Sequence, residues 1–174
     1  KMAVLISELI GQNYGERFYP TLSGVAQNIN YYPVSYAERN DGVSTVALGF
    51  GKTVVEGEKS LRFTPKYPAV LPQFYSVRSA EENSQAYFYA LDMDPTKDLL
   101  AGGEELNLTR YPLNKAETDG VMSGVGSVIC SEDGIIRDSL RYNGKRIVTF
   151  PSLLKWKEFA FPELIIKILK IGKK

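Results

Sequence analysis

Glycine and proline cut residues 19–68 into short segments, and this limits the possible folds more than any other feature of the chain. Ser23-Gly-Val-Ala26, Ala47-Leu-Gly-Phe-Gly-Lys-Thr-Val-Val-Glu-Gly57 and Leu61-Arg-Phe-Thr-Pro-Lys-Tyr-Pro68 leave no room for a long helix. The segments are short and end on residues that turn or break the backbone. Glycine-bounded strands of this kind can hold an anion with backbone N–H groups and a few charged side chains. They need no histidine, and this chain has none. Its single cysteine, Cys130, has no second thiol for a disulfide and no histidine for a zinc cluster or a Cys/His dyad. Cys130 therefore reads as a core residue.

At 174 residues and 44% hydrophobic content the chain fits one domain or a large part of one. Twenty-one Lys and Arg against twenty Asp and Glu leave a net charge of +1, so no long-range field gathers nucleic acid or an anionic membrane. Any anion site must be local. The apolar run Met2–Ile10 is broken by Ser7 and Glu8 and has no small-residue cleavage site behind it, unlike a signal peptide or a membrane span. The chain opens on Lys1, directly in strand-like sequence, and the expectation is a piece of a longer polypeptide that lacks a partner lobe.

Read in order, Met2–Ile10 is expected to be a buried strand and Gln12–Gly15 a turn. Arg17–Tyr19, Gly24–Ile29 and Val43–Leu48 are further strands, the last launched by Asn40-Asp-Gly42. Gly49–Val55 reads as a one-turn helix capped by left-handed Gly57, with a strand as the alternative. Leu61–Thr64 is extended, because Pro65 and Pro68 forbid a helix. A short helix over Ser76–Ser84 precedes an aromatic strand, Gln85–Leu91. Asp94–Ala116 has the least pattern and reads as a connector. Ser127–Cys130, Ile135–Leu140 and Arg146–Phe150, separated by Asp133-Gly and Asn143-Gly, read as a β-meander. A final helix starts at Pro162, with Glu163 in its first turn, puts Leu164, Ile165, Ile168 and Leu169 on one face, and stops at Gly172. Lys167, Lys170, Lys173 and Lys174 interleave with its apolar residues as in a membrane-surface helix, but packing against the chain's own sheet is the preferred reading.

Gly49-Phe-Gly-Lys-Thr53 invites comparison with the phosphate-binding Gly-x-x-x-x-Gly-Lys-Thr loop, but Val46 stands where the first glycine is needed. A different likeness covers more of the chain. Met2–Ile10, Ser23-Gly-Val-Ala26, Ala47-Leu-Gly-Phe-Gly51 and Val54-Val-Glu-Gly57 together resemble, in order and spacing, the nucleotide-binding domain of the pyruvate phosphate dikinase and phosphoenolpyruvate synthase family. The likeness spans roughly residues 2–70, and more loosely Val148–Leu154. It implies an α+β fold: an ATP-grasp-like lobe with a mixed or antiparallel β-sheet, a few short helices, and the C-terminal meander and helix. Residues 1–95 would form the nucleotide-binding lobe and 96–174 its continuation within the same domain.

The resemblance also implies a function. The chain would be the ATP-binding part of a cytoplasmic phosphotransferase that uses ATP and Mg²⁺ to phosphorylate a histidine on a separate domain of the same parent polypeptide. The alternative is a degenerate, non-catalytic nucleotide-binding or interaction module. Neither nucleic acid nor membrane is an expected partner. Ser7, Glu8, Leu9 and Ile10 would lie beside adenine, and Gly49, Gly51 and Lys52 would contact the triphosphate. Arg17 and Arg62 would reach phosphates bidentately or pair with structural carboxylates. The sequence departs from the family where an acidic residue typically follows the Gly-x-Gly, because Lys52 stands there and a cation cannot ligate magnesium. Ile29 likewise replaces an arginine. Lys52 either substitutes a fixed charge for a metal or marks a site that no longer turns over ATP. Glu56 and Glu58 are the nearest carboxylates for a metal, and solvating a loop is their plainer role.

Overall fold

A computed structural model describes residues 2–94, 96 and 108–172. Along the chain the first strands are β1 (Gln12–Tyr14), β2 (Arg17–Tyr19), β3 (Ser23–Gln27) and β4 (Val43–Ala47). The short helix α1 (Lys52–Val55), strand β5 (Leu61–Phe63), helix α2 (Val77–Asn83) and strand β6 (Tyr87–Asp92) follow. Next come β7 (Leu108–Pro112), α3 (Leu113–Thr118), β8 (Gly126–Cys130), β9 (Ile136–Arg137) and β10 (Gly144–Val148). Two helices, α4 (Pro151–Lys155) and α5 (Phe161–Ile171), close the described chain.

The strands pair into three antiparallel sheets, ordered β1-β2-β6-β7, β3-β4-β5 and β10-β8-β9, so the architecture is mixed α+β with short helices. One core joins them: Tyr19, Phe88 and Ala90 from the first sheet, Val46, Leu61 and Phe63 from the second, and Val148 from the third pack in a single cluster with Met122 and Phe150. Among the described residues no helix is long and apolar enough to cross a membrane.

Several elements lie where the sequence places them. Lys52–Val55 is helical and Gly57 follows it at φ 71°. Ser76 caps α2 by accepting a hydrogen bond from the Ser79 N–H at 3.1 Å. Cys130 is buried, 3% exposed, at the end of β8.

Other expectations are corrected. Met2–Ile10 is not a buried strand: it forms no secondary structure, and Met2, Leu5 and Ile6 are at least 90% exposed. A strand needs partners for its N–H and C=O groups, and no described strand pairs with these residues. Gln12–Tyr14 is a strand and not a turn; the hairpin bends at Gly15-Glu16, with Tyr14 opposite Arg17. The stretch read as a connector holds β7 and most of α3, while Pro95 and residues 97–107 lie outside the described residues. Pro112 is tolerated because β7 is an edge strand.

The three C-terminal strands are antiparallel but do not form a meander. β8 is central, and β10 pairs with it and not with β9. Residues 138–143 carry the chain across the sheet: Asp138 Oδ1 accepts from Ser127 Oγ at 2.7 Å, and the Arg146 guanidinium donates to the Tyr142 and Leu140 carbonyls at 2.9 and 3.3 Å. The Arg146 bond takes the Leu140 carbonyl, a backbone acceptor that a longer β9 would have offered to a ladder. In α5, Pro162, Ile165 and Leu169 are buried, whereas Leu164 and Ile168 are about half exposed, so the buried stripe is narrower than the sequence implies.

Candidate functional site

The glycine-rich turn after β4 is stitched to its neighbours by its own backbone. The Gly49 N–H donates to Pro20 O at 3.2 Å and the Phe50 N–H to Tyr89 O at 2.9 Å. Ser23 Oγ donates to the Gly49 carbonyl. Gly49 has φ 81°, and a Cβ there would stand 2.6 Å from Tyr89 O, so only glycine lets the turn lie this close to β6. The buried Gln85 amide completes the junction by bonding both the N–H and the C=O of Leu48 at 2.9 Å. The N–H groups of Gly49 and Phe50 are thus spent within the fold, and Lys52 is left as the charged group this turn presents.

Around Lys52 the structure builds a strip of alternating charge. Lys52 Nζ lies 3.4 Å from Glu56 Oε1, one helical turn on, and 5.4 Å from the centre of the Tyr89 ring. The Tyr89 hydroxyl donates to Glu58 Oε1 at 2.9 Å, and Arg110 Nη2 lies 3.6 Å from Glu58 Oε2. Tyr89 and Arg110 are direct partners across β6 and β7, and the Arg110 guanidinium covers the Tyr87 ring at 4.3 Å. Burial pushes the Tyr89 phenol pKa upward, and its bond to the Glu58 carboxylate adds to this, so the hydroxyl keeps its proton. Beside the strip, Gly57, Glu58, Lys59, Gln85, Tyr87 and Arg110 line a cleft of about 320 Å³. Lysine and arginine side chains edged by aromatic rings suit an anion carrying a planar group.

The other sequence candidates lie with different partners. Arg17 forms a bidentate pair with Asp119, at 2.6 and 3.1 Å, and Tyr19 Oη donates to the same carboxylate at 2.8 Å. This is the structural-carboxylate alternative. Arg62 Nη2 donates to Asn30 Oδ1 at 2.7 Å in a separate pocket. Glu8, Leu9 and Ile10 are exposed, with Leu9 and Ile10 at 52% and 71%, and Ile29 is 36% exposed. Of the expected residues, Gly49, Gly51, Lys52 and Glu56 are therefore brought together, with Glu58 close by. Tyr89 and Arg110 were missed. Alternation along Gln85–Leu91 does put Tyr87 and Tyr89 on one face, but Arg110 sits in the stretch without pattern.

No three His, Cys, Asp or Glu side chains gather as a metal site among the described residues. Glu56, the expected ligand, faces Lys52. Comparison of the chain with family models, curated proteins and solved structures finds no match.

Proposed function

We propose that the chain is the ATP-binding part of a phosphoenolpyruvate synthase or pyruvate phosphate dikinase-like phosphotransferase with an ATP-grasp-like fold, acting on a histidine of a separate domain. One observation carries the reading. Two of the motif segments that resemble the family lie side by side: Ser23 pairs with Ala47 across β3 and β4, β5 adds the other edge of that sheet, and the glycine turn leaves β4 toward Lys52, whereas Met2–Ile10 lies outside it. Lys52, Arg110 and Lys59 then offer positive charge to phosphate groups beside the aromatic rings of Tyr87 and Tyr89. Phosphoryl transfer asks mainly for positioning and charge stabilisation, which such groups supply. The described carboxylates do not form a magnesium site, since Glu56 and Glu58 are both engaged with cations. Mg²⁺ would arrive bound to the phosphates, as it commonly does.

The Lys52–Glu56 pair favours a second reading, a nucleotide-binding module without turnover, because each charge partly cancels the other. Calorimetric titration of ATP, with and without Mg²⁺, into wild type and Lys52→Met tests both. The phosphotransferase reading expects binding that tightens with Mg²⁺ and weakens about tenfold in the variant, the ~1.4 kcal/mol of one charge-assisted contact. Binding indifferent to Mg²⁺ but lost in the variant supports the module. No heat in wild type under either condition sinks both.

A further inference from the structure

The second β-sheet carries a cation, Arg62, that pairs with no carboxylate among the described residues. Arg62, at the centre of β5, is half-buried, and among the described residues its guanidinium donates to the neutral Asn30 Oδ1 alone. Asn30 is 2% exposed and its Oδ1 also accepts the Tyr32 N–H at 3.1 Å, so it acts as a fixed rest for the guanidinium. Along the free edge of β5, Gln73, which also lines the cavity, locks the wall by accepting the Arg62 N–H and donating to Ser60 O, both at 2.8 Å. Arg62 and Asn30 line a cavity of about 230 Å³ whose other walls include Val34, Val43, Val70 and Pro72. None of its lining residues belongs to the strip around Lys52.

We propose that this cavity binds a small organic carboxylate with a short apolar body. Charge sets the head group. A half-buried guanidinium gains most from an anion that takes its unused N–H donors, and a planar carboxylate matches two of them at once. A single cation with neutral neighbours balances one negative charge, which favours a carboxylate over a phosphate dianion. Size and surface set the body. The cavity is smaller than those that hold drug-sized ligands, at roughly 300–1,000 Å³, and its valine and proline walls match a branched alkyl group or a small ring. The orientation follows: carboxylate on Arg62, apolar end against Val43 and Val70.

Isobutyrate, isobutyramide and inorganic phosphate are the probes, titrated into the full chain at constant ionic strength and followed by amide chemical shifts. Isobutyrate is expected to bind in the millimolar range and to shift the amides of Asn30, Arg62 and Thr64. Isobutyramide, of the same shape without the charge, should bind at least tenfold more weakly. Arg62→Met should lose at least tenfold for isobutyrate and nothing for isobutyramide. Equal affinity for acid and amide in wild type overturns the proposal without any variant. So does phosphate binding more tightly than isobutyrate, or perturbation of amides near Lys52 in place of those around Arg62. This last outcome also keeps the test separate from that of nucleotide binding, which reads the Lys52 strip.

Discussion

Asp119 joins parts of the described chain that lie about a hundred positions apart. Its side chain is 5% exposed, and it accepts from Arg17 and Tyr19. Burial alone would raise its pKa; the hydrogen bonds from Arg17 and Tyr19 outweigh this and hold it below the usual carboxylate value. The sign follows from linkage. The carboxylate binds its proton less readily in the folded state, so its contribution is complete above the unfolded value of about 3.9 and vanishes as pH falls through the lower native value. Tyr19 behaves in the opposite sense: burial and the Asp119 bond raise its pKa, and its contribution is lost as pH rises past about 10. Asp119→Asn should cost about 2 kcal/mol at pH 7, the scale of hydrogen bonds to a charged group. Urea unfolding from pH 7 to 2 should find that gap constant to about pH 4 and narrowing below it. A gap that persists unchanged at pH 2 would show that charge is not its source.

At the scale of elements, the third sheet shows what residue patterns convey and what they omit. Asp133-Gly marks a real reversal, because turn chemistry is local, but Asn143-Gly does not: β9 and β10 both run antiparallel to β8 and so parallel to each other. Strand order is not local. It is set by the Ser127–Asp138 bond and by Arg146 gripping the 140–142 carbonyls, contacts between residues that sequence alone does not pair. The same distinction runs through the candidate site. Gly49-Phe-Gly-Lys52 and the helix it starts were legible from glycine spacing, but the tie of Gly49 and Phe50 to Pro20 and Tyr89 was not. Nor was Arg110, whose place opposite Tyr89 depends on strand register. Gly144 joins local and non-local demands: its φ is 153°, and a Cβ there would stand 1.9 Å from Ile129 O. Gly144→Ala should destabilise the chain by at least ~2 kcal/mol, within the range for a forced backbone conformation. Hydrogen exchange should show Val128 and Ile129 losing protection first. If exchange accelerates equally in all three sheets, β10 does not open on its own.

At the scale of the molecule, one hydrophobic cluster serves all three sheets, with Phe63, Phe88 and Val148 in a single packed body. No sheet owns a core of its own, so cooperative unfolding is the physical expectation. The exposed Met2–Ile10 stretch stands outside that body and contributes none of its buried side chains.

That shared core gives Cys130 a use unrelated to any ligand. It is the one sulfhydryl in the chain, shut in at the end of the central strand with Gly144 opposite it and the 131–135 turn folded back beyond it. Under native conditions its alkylation by a small thiol reagent is a clock that advances only while the protein is open. The dependence of that rate on low denaturant gives the size of the opening. A slope equal to that of global unfolding means that the sulfur is reached only when the whole core comes apart. A shallower slope means that the third sheet breathes while the other two hold.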